Sequence, residues 1–431
     1  MNRNILAAIG ATLAFAAIAT AQTITVVGTG DPTVDIPAVQ AAVDQGGQVI
    51  LKGHFSFDRP PTVPTALTAF GGMATVLVSQ AVAISGTREE DDEMTSIEGG
   101  TIPFYVEAPG ASVTIRNVRF VRPTTDAIEV YAVNGLTIAS CKIEGIVPVP
   151  GTPGSSGINI RTSAGLPTPA QPGHPENVTG RLLIANNDID SVGGTDLDNK
   201  LGVTIFSVGQ PPDKEVDIYV TGNHISNITE PAINFRRIGG RAHVEGNVLT
   251  TGPVSSQSAP RPEVIRVVNL GSYVIAHNSI DCQWPDPEAM GIGVFSQFQE
   301  WPMEHAVVLD NEVTMSAPEG TVFGTLSAGI EIRGFAQDNV VANNRIRGRA
   351  RAALAVDGFN GGIPGNNAFA LNRFDDFEAS RADVFVDGGV TDTLVLGQKG
   401  TVEDHGVNTV IVPFHGDDDP GNRSGAGRKE R

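Results

Sequence analysis

Short apolar runs with strict alternation recur along almost the whole chain. One phrase reads apolar-x-apolar-x-x-Asn-x-apolar: LLIANNDI at Asn187, DIYVTGNHI at Asn223, AHVEGNVL at Asn247 and YVIAHNSI at Asn278. It continues as AVVLDNEV at Asn311, NVVANNRI at Asn344 and AFALNRF at Asn372, and LTIASCKI puts Cys141 in the same slot. Successive asparagines are 36, 24, 31, 33, 33 and 28 residues apart. A second phrase, a small residue and then apolar-x-apolar-x, falls between them: AIEVYA, GINIRT, GVTIFS, AINFRR, VIRVVN, GIGVFS, GIEIRG and ALAVDG. Alternation means strands with one side chain in and the next out. Strands this short cannot bury a face alone, so they must stack coil on coil around a shared core, as solenoids do. An asparagine at one phase of every coil suits a ladder of side-chain amides, each bonding the turn of the next coil; the plainer reading is that Asn favours turns.

These phrases resemble the right-handed parallel β-helix proteins of the pectate-lyase-like superfamily, over roughly Asp35 to Phe414. The resemblance implies an all-β, single-domain right-handed parallel β-helix with a short N-terminal capping helix. DIPAVQAAVDQGG reads as that helix, Ile36–Asp44, with Asp35 as N-cap and Ile36, Val39 and Val43 on one face. It further implies that each coil begins with the GIxI strand, and that any active site lies over those first strands.

On the first strand the residues between and after the apolar pair point outward. Up the stack these are Glu129/Tyr131, Asn159/Arg161, Thr204/Phe206, Asn234/Arg236, Arg266/Val268, Gly293/Phe295, Glu331/Arg333 and Ala355/Asp357. The result is a stripe of arginines broken by aromatics, expected to face solvent. Trp284 and Trp301 flank the strand carrying Phe295, where flat rings could stack on sugars; the alternative is that each packs its own loop. Arg333 and Asp357 share a column on adjacent strands, the geometry of a surface salt bridge. Glu331 and Asp357, offset by one coil and two residues, have Cα atoms roughly 8 Å apart, which suits an inverting carboxylate pair.

The catalytic candidates are therefore Arg333, Glu331, Asp357 and Arg266. The substrate-binding candidates are Arg161, Arg236, Phe206, Phe295, Trp284, Trp301 and Tyr131. Three functions stay open: a polysaccharide (uronan) lyase, a glycoside hydrolase using Glu331 and Asp357, and a non-catalytic glycan-binding or structural β-helix. The Gly-His-Gly and paired-aspartate signatures of β-helix polygalacturonases do not occur; His54 falls in the cap region, and Asp375 and Asp376 on the Asn-turn side. His224, His243 and His277 are not spaced as a metal site. No cofactor or metal is expected, with calcium left open without a clear site.

Composition adjusts the picture in three ways. Fifty glycines, 28 prolines and only 18% charged residues suit many short strands and turns. Residues 1–21, with Arg3, an apolar stretch and ATA before Gln22, read as a signal peptide cut after Ala21, so the protein is expected to be secreted or periplasmic. Without Arg3 the net charge goes from −19 to −20, which argues against nucleic-acid and membrane partners. A monomer acting on a polysaccharide, neutral or acidic, is the expectation. Residues 22–414 form the solenoid domain and 415–431 a disordered polar tail. Cys141 and Cys282 fall four coils apart, roughly 19 Å, too far for a disulfide.

Overall fold

The computed structural model describes residues 22–413, apart from 67–72, 89–92, 147–154, 163–173, 191, 193–199, 210–215, 253–262 and 285–286. The expected signal peptide and polar tail lie outside the described residues.

The chain is a right-handed parallel β-helix. Among the described residues thirty-four strands join in one continuous sheet system, and every neighbour within it pairs in parallel. Each coil supplies three short strands. The first strands include Ser155–Arg161, Lys200–Val208, Ile233–Ile238, Glu263–Val268, Met290–Ser296 and Ala328–Gly334. The second strands include Arg241–Glu245, Ser272–Ala276, Val307–Leu309, Val340–Ala342, Ala368–Ala370, Leu394–Leu396 and Val410–Val412. The third strands include His224–Ile228, Val248–Thr251, Ser279–Cys282 and Glu312–Met315. Among the described residues three strands, Asp126–Ala139, Arg345–Asp357 and Phe377–Val386, run through a corner without a break.

Inward residues stack like on like. Val203, Ile233, Ile265, Ile292, Ile330 and Leu354 form one column in register, all wholly buried. Each such side chain contributes about 1.5–3 kcal/mol on burial, which repeated coils accumulate. The small residue that opens the GIxI phrase has a steric cause. It also faces the core, against the third strand, and a Cβ at Gly329 would lie 2.6 Å from Ile346 Cγ2. Two successive residues thus point inward, so the strand bends there. The residue just before the bend is turned outward, against the alternation.

The asparagine ladder forms along the whole series. Asn187 Nδ2 donates to Asn223 Oδ1, and the same bond links Asn223 to Asn247, Asn247 to Asn278, Asn278 to Asn311, Asn311 to Asn344 and Asn344 to Asn372. Each Oδ1 also takes the backbone N–H of the preceding rung, including that of Cys141. The residue before each rung adopts the left-handed conformation, with φ of 54° at Asn186, 53° at Asp310 and 55° at Asn343. That is why Asn, Asp and Gly crowd this position. A second, shorter ladder joins Asn339 to Asn367 and was not anticipated from the sequence.

The capping helix runs Pro32–Val43 and starts four residues earlier than expected. Its N-cap is Asp31, whose side chain accepts from Thr33 N. Asp35 is instead buried, and its carboxylate takes the backbone N–H groups of Thr29, Gly30 and Ser56, tying helix to coil. Val39 and Val43 enter the core and Ile36 packs against it. Cys141 and Cys282 are free and buried. Among the described residues no helix is long and apolar enough to cross a membrane.

Candidate active site

The first-strand columns stack as their phrases imply. Asn159, Thr204, Asn234, Arg266, Gly293, Glu331 and Ala355 are successive register partners. So are Arg161, Phe206, Arg236, Val268, Phe295, Arg333 and Asp357 in the second column. Tyr131 departs from the pattern, because the register shifts between Val130 and Ala132.

The expectation that this stripe faces solvent is corrected. Arg236, Arg266 and Arg333 are each 4% exposed, and Glu331 is not exposed at all. Arg161, Phe206, Phe295 and Asp357 are buried too. Aromatic rings account for much of this shielding. Arg236 lies 4.8 Å over Phe206, and Arg266 4.9 Å over Phe295. Arg333 sits between Phe295 at 4.3 Å and Phe359 at 4.9 Å, the two rings meeting edge to face. Phe359 comes from the turn after Asp357, which the strand phrases do not mark.

Two acid–base clusters lie on this face. The upper one gathers Glu263, Arg266, Glu331, Arg333 and Asp357. Arg333 Nη2 donates to Glu263 Oε1 at 2.7 Å, and Arg266 Nε lies 3.8 Å from Glu263 Oε2. Glu263 was missed by alternation because it precedes the bend and so turns out to this face. It reaches Arg333 by crossing Gly293, where a Cβ would come within 2.6 Å of Glu263 Cγ. The anticipated Arg333–Asp357 bridge gives way to two other pairings, Arg333 with Glu263 and Asp357 with Arg351. Glu331 lies 3.8 Å from Arg333 Nη1 and shares a side-chain hydrogen bond with Asp357. Burial holds its carboxyl well above the usual range; Arg333 opposes that shift and nearby Asp357 adds to it. Burial also raises Asp357, against the pull of Arg351.

The lower cluster holds Asp126, Glu129, Asn159 and Arg161. Asp126 accepts from Ser156 N at 2.6 Å and from Asn159 Nδ2 at 2.9 Å. Burial, with Asp126 beside it, pushes Glu129 up to about 8, and burial lifts Asp126 to about 6, while Arg161 opposes both shifts.

The tryptophans favour the plainer reading. Trp284 is 2% exposed, belongs to the core and aims its indole N–H at Ile228 O, 3.4 Å away. Trp301 is buried against Phe298 and under the Arg237 guanidinium at 4.1 Å. Among the described residues no three or more His, Cys, Asp or Glu side chains group to hold a metal.

No family model and no curated protein matches the chain in sequence. Among solved structures it is similar to an alginate lyase from Paenibacillus sp., at 12% identity over 89% of this chain and 99% of that one, TM-score 0.46. It is similar to the A-module of a mannuronan C-5 epimerase from Azotobacter vinelandii, at 13% identity over 89% and 98%, TM-score 0.41. A surface adhesin of Streptococcus pneumoniae aligns at 16% identity over 81% and 90%, TM-score 0.47. At such identities the likeness is one of fold, the right-handed parallel β-helix.

Proposed function

We propose that the protein processes a polysaccharide, and that its upper cluster eliminates across a uronic acid. The observation that carries this reading is Glu331: a fully buried acid beside Arg333, its carboxyl hydrogen-bonded to that of Asp357. Carboxyl groups held in such surroundings are suited to proton transfer. In this scheme Arg333, assisted by Arg266, exchanges Glu263 for the sugar carboxylate and so acidifies the C5 proton. Asp357, kept anionic by Arg351, takes that proton. The C4–O bond breaks, a C4–C5 double bond forms, and Glu331 gives its proton to the departing oxygen. The solved-structure neighbours include an alginate lyase and a mannuronan epimerase.

A second reading rests on the same two acids. These acids, close enough to share a hydrogen bond and so too near for the water of an inverting pair, also offer the proton donor and base of a glycoside hydrolase. A panel of uronans and neutral glycans separates the readings. Elimination produces an unsaturated end absorbing in the near ultraviolet, whereas hydrolysis produces reducing ends alone. Products should vanish in Glu331→Gln. If the wild-type protein turns over no glycan in the panel, both catalytic readings fall and a binding role remains.

A further inference from the structure

The outer face of the second-strand stack changes character halfway along the solenoid. In the earlier coils its outward pairs are polar or mixed apart from Leu183 and Ala185: Thr137 and Ala139, Tyr219 and Thr221, His243 and Glu245. From Ser272–Ala276 onward they are apolar without exception. The pairs are Val274/Ala276, Val307/Leu309, Val340/Ala342, Ala368/Ala370, Leu394/Leu396 and Val410/Val412, all in register. Val340, Leu394, Leu396, Val410 and Val412 are each more than a third exposed, and Val410 is 54% exposed. Six successive rungs without a charge stand out on a chain of net charge −19.

We propose that this face is where two copies of the chain pack together, sheet on sheet, about a two-fold axis. Two features single out a second copy. The first is charge: two chains this acidic repel one another, and an uncharged stripe is where they can approach without juxtaposing carboxylates. The second is shape. An isologous contact needs a surface complementary to itself. Here the shallow Ala368/Ala370 rung lies directly beside the bulky Leu394/Leu396 rung. With the axis between those rungs, the leucines of each copy fill the alanine hollow of the other, and Val340/Ala342 meets Val410/Val412. Aliphatic side chains in two parallel rows match another sheet face; flat aromatic rings, the usual surface for sugars, are absent from these rungs.

Sedimentation equilibrium of the mature chain across a wide concentration range tests this. The wild type should be a dimer that dissociates on dilution. Leu396→Asp and Ala370→Asp should each be monomeric, with circular dichroism and melting temperature unchanged because both side chains point outward. Thr137→Asp, on the same face in a polar coil, should leave the dimer intact. Leu394→Cys, close to the axis, should cross-link under oxidation, since both native cysteines are buried. A wild type that stays monomeric at its solubility limit overturns the proposal. So does a dimer that survives Leu396→Asp, or one that Thr137→Asp disrupts.

Discussion

Glu263 and Arg333 lie two coils apart, yet their side chains meet at 2.7 Å by passing over Gly293. The missing side chain at position 293 is what joins the two ends of the upper cluster. Both partners are almost fully buried. A pair in such surroundings is weak as a source of stability, but removing one partner strands the other charge away from water.

Glu263→Gln should therefore lower unfolding stability by about 3–5 kcal/mol, by leaving the Arg333 guanidinium without its carboxylate. Gly293→Ala should act in the same direction by displacing Glu263, and cost about 1–3 kcal/mol from crowding alone. Urea unfolding of both variants, compared with Ala355→Gly in the same column, measures this. Gly293→Ala as stable as wild type would show that Glu263 does not need that gap.

The asparagine ladder makes a second, independent prediction. Asn278 accepts from Asn247 twice and donates to Val244 O and Asn311 Oδ1. Asn278→Ala should cost about 3 kcal/mol, from lost bonds and stranded buried groups. Asn278→Asp keeps the acceptors but loses both donors, and should also be destabilised. Cys141→Asn should be tolerated, because its Sγ already lies 3.8 Å from Ile115 O, the place a ladder amide would take. Thermal melts of the three variants decide it.

The fold was legible because its cause is periodic. Inward Ile and Val must repeat wherever coils stack, and a left-handed turn residue before a buried Asn recurs with them. The outward columns could be written down residue by residue for the same reason. Burial of the stripe was not legible, since alternation tells which side of a sheet a residue takes and nothing about what lies over that side. Phe359, which covers Arg333, sits in a turn with no repeat signature. Glu263 and Asp126 were invisible for a different reason: the bend at the small residue turns them outward against strict alternation. The helix start was misplaced because Asp31 and Asp35 both fit an N-cap, and only the bonds of Asp35 to Thr29, Gly30 and Ser56 tell them apart.

The lower cluster predicts a pH dependence. Glu129 is raised from 4.5 to about 8 in the folded chain, so between those values the folded state holds a proton that the unfolded chain has released. Stability from this group is fully present below the unfolded value and is lost as pH rises through the folded one. Asp126 adds a loss in the same direction, complete by about pH 6. Urea midpoints should fall from near pH 5 to near pH 8; Glu331 and Asp357, also raised, act in the same direction, so Glu129→Gln should lessen that fall without abolishing it. A variant with the wild-type slope would place the titrating group elsewhere.

The last prediction separates chemistry from packing on the first-strand face. Glu331→Gln keeps the shape of a buried acid whose titration burial moves well above the usual range, so its melting temperature should stay near wild type. Its turnover of a uronan should drop about 10²–10⁴-fold, the scale of a lost proton donor. Trp284→Ala should do the opposite. Its ring fills the core beneath the loop, so removal should cost about 3–5 kcal/mol of stability. Turnover by the fraction still folded should not change, because the indole packs in the core and aims its N–H at Ile228 O on a third strand, not at the first-strand cluster. Melting curves and initial rates, measured on the same preparations, place each residue on one side or the other. Should Trp284→Ala weaken substrate binding while melting like wild type, that loop opens in solution and its indole serves the glycan after all.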